Sequence, residues 1–247
     1  MEGYTVPIVP PCNRIQPTPL CGPKIGGIVK TRSGPSAFPL HQSGVADAGP
    51  VASPMSEKSD ALAVPVNVTL RRPTLFGVPV MPILAAPLLV RRAHVPEAGA
   101  LAALLGRAYP TETWDAAGTE RELFCDETVR ATLVVAAEGR LVATASLQVR
   151  PDVPECGWVR WVATELDRRR EGLARALVIG VLATAGQAGC REARLHTQTD
   201  RLAAIPLYLQ LGFEPLVRGD EDREVWERVL RLLSGEAGVG RVPPPAG

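Results

Sequence analysis

The residues best suited to chemistry stand in one arginine-rich turn, within the stretch WVRWVATELDRRREGLARAL. There an apolar strand leads into a helix whose first turn contains Gly172 and Ala174, and such small residues let a ligand approach the backbone. Free N–H groups at a helix N-terminus, together with Arg169, Arg170 and Arg175, can bind a phosphate or a pyrophosphate. A solvated helix start explains the same residues, so the turn alone leaves both interpretations open.

Cysteine and histidine spacing does not predict a metal site. The five cysteines are an odd number without a C-x-x-C pair, and no histidine lies near them at metal-ligand spacing. We therefore expect no metal, reduced cysteines and a cytoplasmic location. His196 lies in a predicted strand, where we expect a structural role.

The elements that must position the turn follow from the alternating periodicities after Pro87. In order, the pattern predicts a strand near 88–93, a helix over 95–109, a hairpin across Glu138-Gly139, a strand over 157–164, a helix ending at Gly189, a strand over 191–198, a helix over 201–212, a strand over 213–217 and a helix over 222–233. Pro206 predicts a kink or a late start in its helix. This order predicts an α/β fold with a mixed sheet, and the absence of G-x-G-x-x-G after any strand argues against a dinucleotide fold.

The N-terminal part of the chain has a different composition. Of the 24 prolines 15 lie in residues 1–87, together with only 11 of the 53 charged residues. We therefore predict a disordered Pro-rich tail over 1–86, a folded domain over 87–233 and a flexible tail over 234–247. The apolar stretch between Arg72 and Arg91 contains too many prolines for a membrane-spanning helix, which favours an extended linker. The first residues do not resemble a secretory signal.

The charge balance restricts the classes of partner. The chain has 27 basic and 26 acidic residues, a formal charge of +1. We therefore expect neither nucleic-acid nor membrane binding.

Two motifs together resemble one known family. Residues 169–174 match the [QR]-x-x-G-x-[GA] of motif A in the GNAT superfamily of N-acetyltransferases. Residues 201–213 resemble motif B, in which a Tyr precedes a Gly-Phe pair by four residues, here Tyr208 before Gly212. The resemblance covers about residues 87–220. It implies a GNAT-like mixed, mostly antiparallel sheet with splayed central strands, flanked by helices.

The resemblance also implies a site and a reaction. The strand over 157–164 would leave its parallel neighbour, and acetyl-CoA would fill the gap as co-substrate. The N–H of Val162 would polarise the thioester carbonyl, and Tyr208 would donate a proton or a hydrogen bond to the departing thiolate. The implied cofactor-binding residues are Val162, Ala163, Thr164, Arg169, Arg170, Glu171, Gly172, Leu173, Ala174 and Arg175.

The resemblance implies an N-acetyltransferase in which an amine attacks the thioester directly. Several carboxylates are candidates for the base that removes the amine proton, and a base acting through water, or no dedicated base, remains open. The candidates are Glu112, Asp115, Glu120, Glu122 and Glu155. Two other classes also stay open, namely a non-catalytic acyl-CoA sensor and an unrelated α/β binding protein. The acceptor amine is not predicted, and either a monomer or a homodimer is compatible with the sequence.

Overall fold

The structure, a computed structural model, describes residues 65–199 and 201–234. Its strands are β1 (Asn67–Arg72), β2 (Leu89–Arg92), β3 (Val129–Ala137), β4 (Arg140–Val149), β5 (Cys156–Thr164), β6 (Glu192–Gln198) and β7 (Glu214–Pro215). Its α-helices are α1 (Ala98–Ala108), α2 (Ala116–Glu120), α3 (Leu173–Gln187), α4 (Ile205–Gln210) and α5 (Asp220–Ser234). A π-helical turn, Arg121–Cys125, follows α2, and short 3₁₀ turns cover Val95–Glu97, Leu166–Arg168 and Leu202–Ala204.

The strands form one mixed sheet in the order β2-β3-β4-β5-β6-β1-β7. Only β5 and β6 pair in parallel, and the other neighbours are antiparallel. The predicted α/β class with a mixed, mostly antiparallel sheet is therefore confirmed. The late helix start predicted from Pro206 is confirmed as well, because α4 begins at Ile205 and takes the proline in its first turn.

The predicted tail over 1–86 is wrong in its boundary. Strand β1 lies inside that range and pairs with β6 along its whole length, from Asn67 opposite Gln198 to Arg72 opposite Ala193. The physical reason is a period of two in VNVTLRR, which directs Val68 and Leu70 into the core. Most of both predicted tails, residues 1–64 and 235–247, lies outside the described residues.

Two apolar cores lie on opposite faces of the sheet. On one face α3 packs with α4 and α5, and this core includes Val159 of β5 and Leu195 of β6. On the other face α1 and the π-helical turn pack around Trp161. Because side chains alternate along a strand, Arg160 and His196 lie on the face opposite α3. In the described part of the chain, no helix is both long and apolar enough to cross a membrane.

The contact between α3 and β5 depends on Gly157. A Cβ atom on this residue would lie 3.0 Å from the Ala185 Cβ of α3 and 3.1 Å from a Leu147 methyl group of β4. Both neighbours are buried. The glycine therefore sets the distance between α3 and the strand that carries Val162.

We predict that Gly157→Ala lowers the free energy of unfolding by about 1–3 kcal/mol, because the added methyl group overpacks this contact. Gly186→Ala is the matched control, since Gly186 lies in α3 with no atom near its Cβ position. The control should gain up to about 1 kcal/mol from helix propensity. Urea unfolding of both variants measures the two effects, and equal stability of the two would contradict the close contact.

Candidate functional site

The central parallel strands separate halfway along their length. Their pairing runs from Cys156 opposite Glu192 to Val159 opposite Leu195 and then stops. At the same point β5 bulges against β4, and Trp161 has a φ of +49°. A bulge bends the strand that contains it, so β5 turns away from β6 and main-chain groups beyond Val159 are left without a partner across the gap.

A cavity of about 420 Å³ occupies this gap. Its sheet wall consists of residues 159–162 of β5 and 195–198 of β6, with Asn67 of β1. Other elements contribute Tyr109, Glu112, Glu122, Arg201 and Tyr208. We call it the strand-gap cavity.

Two tyrosines in this cavity have different environments. The Tyr208 side chain is only 6% exposed and packs edge-on against Phe213, with 6.1 Å between the ring centroids. Within residues 65–199 and 201–234 its hydroxyl has no hydrogen-bond partner. The Tyr109 hydroxyl, by contrast, donates to the Val162 carbonyl at 3.0 Å and so holds the bulge. Burial raises the pKa of both hydroxyl groups, and each therefore keeps its proton at neutral pH.

The arginine-rich turn connects β5 to α3. Arg170 and Gly172 have φ values of +67° and +78°, and Gly172 is the N-cap residue of α3. No side chain caps this helix, so its first N–H groups are available to a ligand. The carboxylate of Glu171 pairs with Arg168 at 2.9 Å. The helix start therefore combines the positive end of a helix dipole with nearby guanidinium groups, an arrangement that attracts anions.

An ion pair between the buried Glu165 and the exposed Arg107 fixes the beginning of this turn. The Glu165 carboxylate, at the end of β5, accepts two hydrogen bonds from Arg107 of α1, one of them from Nε at 3.1 Å. Nearby, the Thr164 hydroxyl oxygen is buried and has no hydrogen-bond partner among the described residues. A buried polar atom of this kind costs free energy unless a ligand or water satisfies it.

A second cavity, of about 540 Å³, lies beside the start of α3. Glu171, Gly172 and Arg175 line it on one side. Its other wall is the apolar segment between β1 and β2, including Val80, Ile83 and Leu84. Both cavities therefore border the segment from β5 to α3.

Charged side chains surround the strand-gap cavity on the face opposite α3. The Arg160 guanidinium lies 4.8 Å from the centroid of the Trp161 ring, and that of Arg201 lies 4.3 Å from the centroid of Tyr109. Burial raises the pKa of the Glu122 carboxyl, and Arg160 opposes this shift. Glu112 also lines the cavity.

His196 is a cavity residue that the sequence analysis interpreted as structural. It is the first residue of β6 beyond the parallel pairing, and it lines the cavity. Its Nδ1 lies 3.0 Å from the Thr69 hydroxyl, and its ring stacks on Trp158 at 4.8 Å between centroids. Burial first, and then Arg160 and Arg218, lower the pKa of the imidazole.

The predicted site residues do not all line a cavity. Val162 and Tyr208 line the strand-gap cavity, while Glu171, Gly172 and Arg175 line the second one. Neither cavity is lined by Ala163, Thr164, Arg169, Arg170, Leu173 or Ala174. The Ala163 and Leu173 side chains belong to the cores. Those two residues can therefore offer only main-chain groups to a ligand.

The candidate bases also differ in whether they line a cavity. Glu112 and Glu122 line the strand-gap cavity. Asp115 instead caps α2 through the Gly118 N–H, and neither Glu120 nor Glu155 lines a cavity. The sequence analysis did not predict four residues of the cavity wall as site residues, because neither motif specifies their side chains. These residues are Tyr109, Arg160, Arg201 and His196.

A comparison with protein-family models gives a match over part of the chain. Residues 100–213 match the model of the acetyltransferase (GNAT) family. The comparison with curated proteins gave no significant match.

Three solved structures illustrate the likeness. A GCN5-related N-acetyltransferase from Sphaerobacter thermophilus has a TM-score of 0.51 at 20% identity, and the match covers 60% of this chain and 48% of that one. An acetyltransferase assigned to the GNAT family, from Novosphingobium aromaticivorans, has 0.44 at 25% identity, with 61% and 59% covered. An acetyltransferase from Trypanosoma brucei has 0.44 at 22%, with 53% and 96% covered. Of these three, the Sphaerobacter structure has a TM-score above 0.5 and shares the fold of this chain. The match spans about half of that protein's length and under two thirds of the Novosphingobium one.

Proposed function

We propose that the chain is an N-acetyltransferase that transfers the acetyl group of acetyl-CoA to an amine, because residues 100–213 match the model of the GNAT family of acetyltransferases. The observation that carries the proposal is the gap between β5 and β6, which opens a cavity containing a tyrosine hydroxyl without a protein partner. The family generally uses acetyl-CoA, and the residues at the gap suit such a ligand.

The fit to acetyl-CoA is supported by two features. The uncapped start of α3, with Arg169, Arg170 and Arg175 nearby, suits a pyrophosphate. The buried Thr164 hydroxyl lacks a partner, and an amide of the pantetheine arm would satisfy it. Main-chain groups of β5 beyond Val159 would hold the rest of that arm across the gap.

The reaction needs three tasks from the chain. The amine nitrogen first bonds to the thioester carbon, which gives a tetrahedral intermediate with negative charge on the carbonyl oxygen. The bond from carbon to sulfur then breaks, and the negative charge passes to sulfur. The Val162 N–H would stabilise the charge on oxygen, and the Tyr208 hydroxyl would donate its proton to sulfur. The pKa of Tyr208 is raised by burial, which keeps the proton available.

The proton that leaves the amine requires an acceptor, and we assign this task to His196. If Nδ1–H donates to the Thr69 hydroxyl oxygen, Nε2 keeps a lone pair for the amine proton. The lowered pKa of the imidazole keeps it neutral at physiological pH, which a base requires.

Acetyl-CoA binding is tested with two glycines that have the same φ. Gly172 and Gly139 both have a φ of +78° and no atom near their Cβ positions, but Gly139 lies in the turn between β3 and β4. Alanine at either position should cost about 1–2 kcal/mol of stability, because L-residues avoid this conformation. Only Gly172→Ala should weaken acetyl-CoA binding, by about tenfold in a calorimetric titration, since it alters the helix start. Wild-type protein that gives no heat with acetyl-CoA would refute the proposed function.

The role of Tyr208 is tested against Tyr109. Tyr208→Phe should reduce kcat by about 100-fold, measured by thiol release, because the thiolate loses its proton donor. Its stability should change little, since the hydroxyl has no partner in the described structure. Tyr109→Phe should lose about 0.5–1.5 kcal/mol of stability with the hydrogen bond to Val162. Full transfer activity in Tyr208→Phe would remove its catalytic role, and a chain that binds acetyl-CoA but acetylates no amine would be an acyl-CoA sensor.

The role of His196 predicts a pH dependence. The groups that act on its titration are Arg160 of β5 and Arg218 before α5, with Thr69 and Trp158 as its neutral contacts. A base must be unprotonated, so kcat/KM should fall as the pH drops through a pKa below the ordinary 6.5. His196→Gln should remove this fall of kcat/KM at acidic pH and should also lower the value of kcat/KM reached at higher pH. If the fall persists in that variant and disappears in Glu122→Gln, the base is Glu122 instead.

A further inference from the structure

The charges that line the strand-gap cavity have no ion-pair partners, whereas the charges just outside it do. On the same face of the sheet, Glu192 pairs with Arg71 at 2.6 Å and with Arg194 at 2.8 Å. Across residues 65–199 and 201–234, no ion pair involves Glu112, Glu122, Arg160 or Arg201. The described part of the cavity wall therefore presents to a ligand two cations and two anions that form no ion pairs.

The two guanidinium groups are held in place without neutralisation. Arg160 lies over the Trp161 ring and Arg201 over the Tyr109 ring, at 4.8 and 4.3 Å from the ring centroids. Such stacking fixes the plane of a guanidinium group and leaves N–H groups at its edge for an anion. Arginine in this state is well suited to a carboxylate or a phosphate.

Arg160 lies among the groups that the proposed reaction uses. It acts electrostatically on Glu122, His196 and Tyr109, which come from three different elements. A protonated amine alone would be repelled by this cation. An amine that carries its own anionic group would instead bring that group to Arg160 and its ammonium group to Glu112 and Glu122.

The size of the cavity limits the acceptor. Its 420 Å³ lies near the lower end of the usual range for small-molecule sites, about 300–1,000 Å³. Part of this volume is needed for the thioester between Val162 and Tyr208. The remaining space suits a small molecule with both charges close together.

Resting on the proposed function, we infer that the acceptor is a small amine that carries an anionic group, as a free amino acid or an aminoalkyl phosphate does. Arg160, supported by Arg201, binds the anionic group. Glu112 and Glu122 attract the ammonium group and hold it near His196.

The test compares acceptors that carry an anionic group with acceptors that lack one. A panel of L-amino acids, their uncharged carboxamides and phosphoethanolamine is assayed with acetyl-CoA by thiol release. The wild-type protein should prefer the anionic acceptors by at least tenfold in kcat/KM, and the better of the amino acids and phosphoethanolamine identifies carboxylate or phosphate as the recognised group.

Variants link this preference to Arg160. Arg160→Gln should bring the ratio between acid and amide to within about twofold, mainly through a higher KM for the acid. Arg194→Gln is the matched control. Arg194 lies in β6 opposite Trp158 of β5, close to Arg160, but it pairs with Glu192 and does not line the cavity. The control should keep the preference. Arg201→Gln should weaken it less, which gives a second measurement should Arg160→Gln not fold.

The outcomes separate the two proposals. If the amides are acetylated as well as the acids, or if Arg160→Gln keeps the preference, the inference is wrong while the proposed function stands. If the wild-type protein binds no acetyl-CoA and releases no thiol with any member of the panel, both are wrong. Thermal unfolding and the acetyl-CoA titration of each variant show whether a change reflects misfolding.

Discussion

The separation of β5 from β6 is the constraint on which the rest of this molecule depends. Parallel strands that stop pairing leave main-chain donors and acceptors exposed, which is costly unless each strand keeps a partner on its other side. Here β5 continues to pair with β4 as far as Thr164, and β6 continues with β1 as far as Gln198. The outer neighbours thus keep both strands extended while the gap stays open. The bulge at Trp161, held by the Tyr109 hydroxyl on the Val162 carbonyl, sets the direction in which β5 leaves.

The N-terminal strand is consequently part of the site as well as of the sheet. Thr69 contacts the ring of His196, and Asn67 lines the strand-gap cavity. At the other end of β1, the buried Arg72 donates to the Leu211 carbonyl at the end of α4, the helix that carries Tyr208. One short strand therefore connects the proposed base with the helix of the proposed proton donor. Removal of β1 would leave one edge of β6 unpaired along the wall of the strand-gap cavity.

The elements of the fold that could be predicted are those with a sequence signal in a few adjacent residues. The hairpin between β3 and β4 was predicted because Glu138-Gly139 is a local turn signal, and both residues have positive φ values as such turns require. Strand β1 carried an equally local signal, the alternation of Val68 and Leu70 with polar residues, but the many prolines around it suggested a tail. The short α2 and the π-helical turn had no comparable periodicity.

The site was predictable only where one segment forms it. The turn at Gly172 and the tyrosine at 208 lie in short motifs that a single sequence displays. Arg160 becomes a site residue because the bulge turns β5, and Tyr109 becomes one because α1 ends beside that bulge. No local sequence pattern predicts either feature. A left-handed tryptophan is also unexpected, since non-glycine residues rarely adopt a positive φ. Tertiary structure, rather than propensity, thus determines the wall of the cavity that faces the acceptor.

The position of Arg160 connects acceptor recognition to proton transfer. In the free protein this cation lowers the pKa of His196 and opposes the rise in the pKa of Glu122. An anionic group bound to Arg160 would cancel much of this field at short range, because opposite charges at contact distance neutralise each other's effect on a third group. His196 would then accept a proton more readily when a correct acceptor is present than when the cavity contains only water. The same contact that selects the acceptor would therefore strengthen the base that activates it, and an amine without an anion would lose both effects together.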